Sequence, residues 1–140
     1  MENMNLNVHI HSSKNKIDKN TDIYLLDSYG KTKSFFKVCK IVFLGGSLIK
    51  HGGQNPLEAS RYGCRTIHGP SISNFKEIYG LLKKFKITNK VKSINEMTGV
   101  IITLLNKKTN SANIKTKIND LGNKILKNTF KEIDLFIVKK

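Results

Sequence analysis

The run Ile41-Val42-Phe43-Leu44-Gly45-Gly46-Ser47, continued by Gly52-Gly53-Gln54-Asn55-Pro56-Leu57-Glu58, decides the fold. Four apolar residues stopped by a glycine pair read as a buried strand. Asn55 then fits a helix N-cap, Pro56 the first helical position and Glu58 the third, the pattern of a capping box. Strand, glycine-rich loop and helix in that order make one α/β unit. Upstream, Ile23-Tyr24-Leu25-Leu26 reads as a second buried strand, ending at Asp27-Ser28-Tyr29-Gly30. A helix over 31–38 is expected next, with Phe35, Phe36 and Cys39 toward the core. Leu6–Ile10 alternates as a short strand, and 11–22 is a polar loop. After the helix from Asn55 to Gly63, Arg65-Thr66-Ile67 is a short strand closed by Gly69-Pro70. Residues 73–84 are amphipathic, with Phe75, Ile78, Leu81, Leu82 and Phe85 at helical spacing. An edge strand over 87–91 and a helix over 94–105 follow. The terminal segment 114–140 carries a last helix to about Val138, with Ile114, Ile118, Leu121, Ile125, Phe130 and Ile133 near one face. Gly122 costs that helix ~1 kcal/mol. Strands alternating with helices predict an α/β fold: a Rossmann-like, open, mostly parallel sheet with helices on both faces.

The chain's 140 residues are one domain's worth, read as 1–140, and 39% hydrophobic with 25% charged residues fits a globular protein. Two cysteines, Cys39 and Cys64, exclude a disulfide scaffold and read as small buried residues. No apolar run approaches the ~18 residues of a membrane span, and residues 1–10 carry no secretory signal. The net charge of +15 points to anionic partners. Arg61 and Arg65 are the only arginines, however, and the lysines are scattered, so base-reading nucleic-acid recognition is a poor fit. Abundant Lys, Asn and Ile also fit a coding bias and an ordinary solvated surface.

Ligands of such sheets bind beyond the carboxyl ends of the strands. Asp27–Gly30 and the loop through Gly45, Gly46, Ser47, Gly52 and Gly53 both lie there. Glycines bring backbone N–H groups close to a phosphate, and a helix start adds positive charge. The spacing is neither a Walker loop nor a dinucleotide fingerprint. Glu58 serves a cap and a ribose diol equally well, since a carboxylate accepts from two neighbouring hydroxyls. Ser47 could donate to a ligand or satisfy its turn. His51 reads as a loop histidine. His9, His11, His51 and His68 show no metal spacing with Cys39 or Cys64.

Taken together, Gly45-Gly46-Ser47-Leu48, Gly52-Gly53-Gln54-Asn55-Pro56-Leu57-Glu58, Gly69-Pro70 and Asn74-Phe75, with Asp27-Ser28-Tyr29-Gly30 upstream, resemble the carboxyl-terminal domain of the bacterial 3-deoxy-D-manno-octulosonic acid (Kdo) transferases. The resemblance is specific from Asp27 to Phe75 and generic in the last helices. It implies the carboxyl-terminal half of a GT-B glycosyltransferase fold, incomplete at its amino end. It further implies binding of the donor CMP-Kdo, with Ser28, Tyr29, Gly30, Asn55, Pro56, Leu57 and Glu58 at the CMP and Glu58 at its ribose. No cofactor or metal is implied. The family's catalytic base lies on an amino-terminal domain without counterpart here, so no catalytic residue is expected in this chain. That domain also takes the acceptor, lipid A precursor, at the cytoplasmic face of the inner membrane. Lys31, Gln54, Ala59-Ser60 and Ser71 depart from the family pattern. The expectations are therefore a partner chain supplying the missing half, peripheral contact with anionic membrane, and marginal stability alone. The alternative is a non-catalytic remnant or interaction module that keeps the fold.

Overall fold

Residues 4–107 and 110–138 are described by a computed structural model. The strands form two open parallel sheets, and the chain divides into two compact units after Phe35.

In the first unit β1 (Val8–Ile10) pairs with β2 (Ile23–Leu25) in the register Val8↔Ile23, His9↔Tyr24, Ile10↔Leu25. Residues 11–22 make the crossover, about the dozen residues that a parallel pair requires. It opens with a 3-10 turn, His11–Ser13, and has no α-helix. Side-chain alternation then sorts the sheet's faces. On one face Tyr24 stacks on His9, centroids 5.1 Å apart, and lies 5.6 Å from Phe35. On the other, Val8, Ile10, Ile23 and Leu25 are 42–53% exposed. The buried strand expected at Ile23–Leu26 is thus corrected. An apolar run reads as buried only when both faces are covered, as parallel sheets ordinarily are.

The helix α1 (Thr32–Val38) spans the division. The second unit's sheet has the order β3 (Ile41–Phe43), β4 (Arg65–His68), β5 (Thr88–Lys90), all parallel, with Ile67 paired to Phe43 and Asn89. Because order in space follows order in sequence, both crossovers run the same way. Their helices, α2 (Pro56–Arg61) and α3 (Lys76–Lys84), share one face. There Leu82 and Ile87 pack with Leu57, Ile78 and Phe85, and Ile114 and Ile118 of α5 (Ser111–Val138) close the layer. On the opposite face α4 (Ile94–Asn106) lays Leu104, Met97, Val100 and Ile101 against Ile67 and Val91. Helices on both faces of an open parallel sheet match the expectation. A third small cluster joins Phe36, Ala59 and Cys64.

Two further expectations are corrected. Cys39 is exposed: it follows the end of α1, and its carbonyl accepts from the buried Cys64 thiol at 3.1 Å. Burial pushes that thiol up to about 11, so Cys64 is an inert packing group. The apolar stripe of α5 reaches the core only at Ile114 and Ile118; Leu121 is half-buried, and Ile125, Phe130 and Ile133 are about half exposed. A 28-residue helix is about 42 Å long and outruns a three-stranded sheet roughly 10–14 Å wide.

Candidate functional site

At the carboxyl ends of β3 and β4 three segments are laced together by hydrogen bonds. Ser47 is the knot. It is fully buried; its hydroxyl donates to the Leu44 carbonyl at 2.6 Å and accepts the Gly69 N–H at 2.8 Å, while its carbonyl accepts the Ser71 N–H at 2.9 Å. Ser47 therefore satisfies the turn, and its hydroxyl is not turned to a ligand. The Ser71 hydroxyl in turn accepts the Gly52 N–H at 3.0 Å, and the Gly52 carbonyl accepts the Asn74 N–H at 3.3 Å. These bonds bring Gly45–Ser47, Gly52–Glu58 and Gly69–Asn74 into one loop cluster.

Two glycines are required by this lacing. Gly53 has φ +74°, and a Cβ there would lie 2.9 Å from the Ser71 carbonyl oxygen. Gly69 is tighter, since its Cβ would fall 2.1 Å from the Ser47 carbonyl oxygen. Gly45, by contrast, is exposed with nothing within 4 Å, which leaves its backbone open at the end of β3.

The two readings of Glu58 separate here. Asn55 caps α2, its side-chain oxygen accepting the Leu57 N–H at 2.9 Å. The capping box is not closed: among the described residues no hydrogen bond or ion pair engages the exposed Glu58 carboxylate. At α4 a two-way exchange does form, with Ser93 accepting the Glu96 N–H and Glu96 accepting the N–H of Lys92, one residue before the cap. Glu58 is left with both oxygens available as acceptors. Pro56 is buried and Leu57 half-buried, so of this segment Gln54, Asn55 and Glu58 present side chains outward.

In the first unit the turn Asp27–Gly30 follows β2. The Asp27 carboxylate accepts both the N–H and the hydroxyl of Ser12, and the side-chain bond is the main reason its pKa lies below the usual value. The turn is pinned by its first residue, while Ser28 and Tyr29 are exposed and Gly30 takes φ +80° with nothing near it.

Two residues of the second unit, Tyr79 and His68, position the loop cluster, a role that sequence assigned to neither. The Tyr79 hydroxyl donates to the Gln54 carbonyl at 2.9 Å, holding the entry to α2, and burial pushes its pKa up to about 12. His68, the last residue of β4, is 4% exposed and lies against Tyr79 with centroids 4.2 Å apart. Its Nδ1 is 2.7 Å from the Gly69 carbonyl, which only accepts, so Nδ1 carries the proton. The clue in sequence was a histidine at a strand end just before Gly69-Pro70; for Tyr79 it was an aromatic with a polar tip inside an amphipathic helix.

Burial is the main cause holding His68 below the ordinary histidine range; Lys90 adds to it and the Gly69 carbonyl opposes it. The unfolded chain, with His near pH 6.5, then takes up the proton first as pH falls. The stability His68 contributes is complete above about pH 6.5 and is lost as pH drops from there toward the folded value. Thermal melts of the chain between pH 7 and 5 are expected to show falling stability. In the non-titrating His68→Gln variant the slope should be shallower, whatever its absolute stability.

No family model matches the chain. It is 36% identical over 101 residues to a 3-deoxy-D-manno-octulosonic acid transferase of Haemophilus influenzae, covering 71% of this chain and 24% of that protein. It is 33% identical over 97 residues to the same enzyme of Rickettsia prowazekii, covering 69% and 21%. A bifunctional glycosyltransferase/methyltransferase of Fusobacterium nucleatum is 30% identical over 95 residues, 68% of this chain and 15% of that one. Among solved structures, the C-terminal CMP-Kdo binding domain of WaaA from Acinetobacter baumannii superposes with a TM-score of 0.74 at 24% identity, covering 83% of this chain and 61% of that one. The chain therefore shares the fold of that domain, and it spans about a quarter of the length of the first two relatives.

Proposed function

We propose that this chain, similar over two thirds of its length to Kdo transferases, is the donor-binding part of such a glycosyltransferase. It holds the CMP portion of CMP-Kdo while Kdo passes to lipid A precursor in lipopolysaccharide synthesis. The observation that carries this reading is the unengaged Glu58 carboxylate, held beside the glycine loops at the carboxyl ends of β3 and β4. In that arrangement Glu58 accepts from the ribose hydroxyls, and the open backbone at Gly45 faces the phosphate. The family resemblance also offers Ser28, Tyr29 and Gly30, on the exposed turn of the first unit, as separate candidates for contact with CMP.

The reaction is a displacement at the anomeric carbon of Kdo. A base removes the proton of the acceptor hydroxyl, the new glycosidic bond forms, and the bond to the CMP phosphate oxygen breaks. This chain's share is to bind and orient the leaving CMP. The base and the acceptor site belong to further sequence or to a partner chain, and the uncovered apolar face of β1 and β2 supports such a partner. No helix among the described residues is long and apolar enough to cross a membrane. Contact with the cytoplasmic face of the inner membrane is peripheral in this reading, supported by the +15 charge and the exposed apolar residues of distal α5.

The test is a calorimetric titration of the folded chain with CMP beside UMP. Saturable CMP binding with markedly weaker UMP binding is the expected result. A folded chain that binds neither nucleotide would contradict the proposal and leave the glycines a purely structural role.

A further inference from the structure

A cavity of about 990 Å³ opens in the second unit between β5 and α4. Arg65 and Thr88, the first residues of β4 and β5, line it, so it lies at the end of the strands opposite the glycine loops. Its charge is one-sided. Arg65, Lys83, Lys86 and Lys107 face a single acid, Glu96, whose carboxylate is already engaged by the Lys92 N–H at 2.7 Å. Two buried donors in its lining, Arg65 Nε and Asn89 Nδ2, have no partner among the described residues. Unpaired buried donors are costly to keep, and here both call for an acceptor.

The backbone adds a third observation. Lys86 takes φ +56°, in the tight connection where its N–H meets the Lys83 carbonyl and the Ile87 N–H meets the Leu82 carbonyl. Glycine is the ordinary residue for that left-handed position after a helix. A lysine is held there instead, its carbonyl accepting from the Arg65 guanidinium at 3.2 Å. Strain retained beside a cavity is what a binding residue would leave.

We propose that this cavity binds a phosphate ester, a group that brings negative charge and acceptors only. Its volume exceeds that of a bare phosphate and suits a phosphorylated sugar or nucleotide. Arg65 Nε and Asn89 Nδ2 donate to the phosphate oxygens, and Lys83, Lys86 and Lys107 supply charge.

The probe is pyrophosphate, titrated into the full chain at physiological salt and followed by amide shifts. Saturable shifts centred on Lys86, Thr88 and Asn89 are expected. The exposed pair Lys83→Ala/Lys107→Ala should weaken binding at least tenfold, while Lys124→Ala/Lys127→Ala on α5, removing equal charge, should leave it unchanged. Lys86→Gly should raise the melting temperature yet weaken pyrophosphate binding. Absence of saturation, shifts centred on Gly45, Gly46 and Gly53, or equal weakening by both lysine pairs would overturn the proposal. Vesicles containing phosphatidic acid identify the source. Capture that depends on Lys83 and Lys107 assigns a lipid headgroup; pyrophosphate binding without such capture assigns a soluble phosphate ester.

Discussion

Replacing Gly69 by Ala is expected to destabilise the fold by about 3 kcal/mol or more. The added Cβ would sit 2.1 Å from the Ser47 carbonyl oxygen, 2.4 Å from its carbon and 2.6 Å from the Leu48 nitrogen. All three are backbone atoms, so no side-chain rotation relieves the overlap. Moving Ser47 away breaks both bonds that tie it to this strand end, the Gly69 N–H to its hydroxyl and the Ser71 N–H to its carbonyl. Ser47 is fully buried, and its freed groups find no water. Gly80→Ala is the control: in the exposed middle of α3, with nothing within 4 Å of its Cβ, it should stabilise by about 0.5–1 kcal/mol. Denaturant unfolding of the two variants checks the contrast. Equal effects would show that the loop lacing is not rigid.

The second large effect is expected on binding. Glu58→Ala should weaken CMP about 10- to 100-fold, the ~1.5–3 kcal/mol of hydrogen bonds made to a charged group. It should leave the melting temperature nearly unchanged, because the cap on α2 is Asn55 and no intramolecular bond engages Glu58. Asn55→Ala should do the reverse to stability, removing a cap worth ~0.5–2 kcal/mol. Calorimetry and melts on the same samples separate the roles. A Glu58→Ala chain that loses stability but keeps its CMP affinity would return Glu58 to capping alone.

Local signals were legible where one element decides its own structure. Ile41–Phe43 is a strand, Asn55 and Pro56 start a helix, and Gly46, Gly52 and Gly53 take positive φ, because each rests on backbone preferences of a few residues. Burial was less legible, being set by what covers an element. Ile23–Leu26 has the composition of a buried strand, yet its sheet has two strands and one covered face. The stripe on α5 keeps helical spacing well past the last residue that has a core to meet. Within the candidate site, the glycines and Glu58 could be picked out by type and spacing. The inward fate of Ser47 and the support from Tyr79 depend on contacts across 22–25 residues of sequence, which no local pattern encodes.

The central claim is that CMP lies on the loop cluster at the carboxyl ends of β3 and β4. Mapping backbone amide shifts of the isotope-labelled chain during CMP titration tests it most directly. Saturable shifts concentrated at Gly45, Gly46, Leu57 and Glu58, and weakened in the Glu58→Ala chain, are the expected result. Shifts centred elsewhere, or none in a well-folded chain, would contradict it.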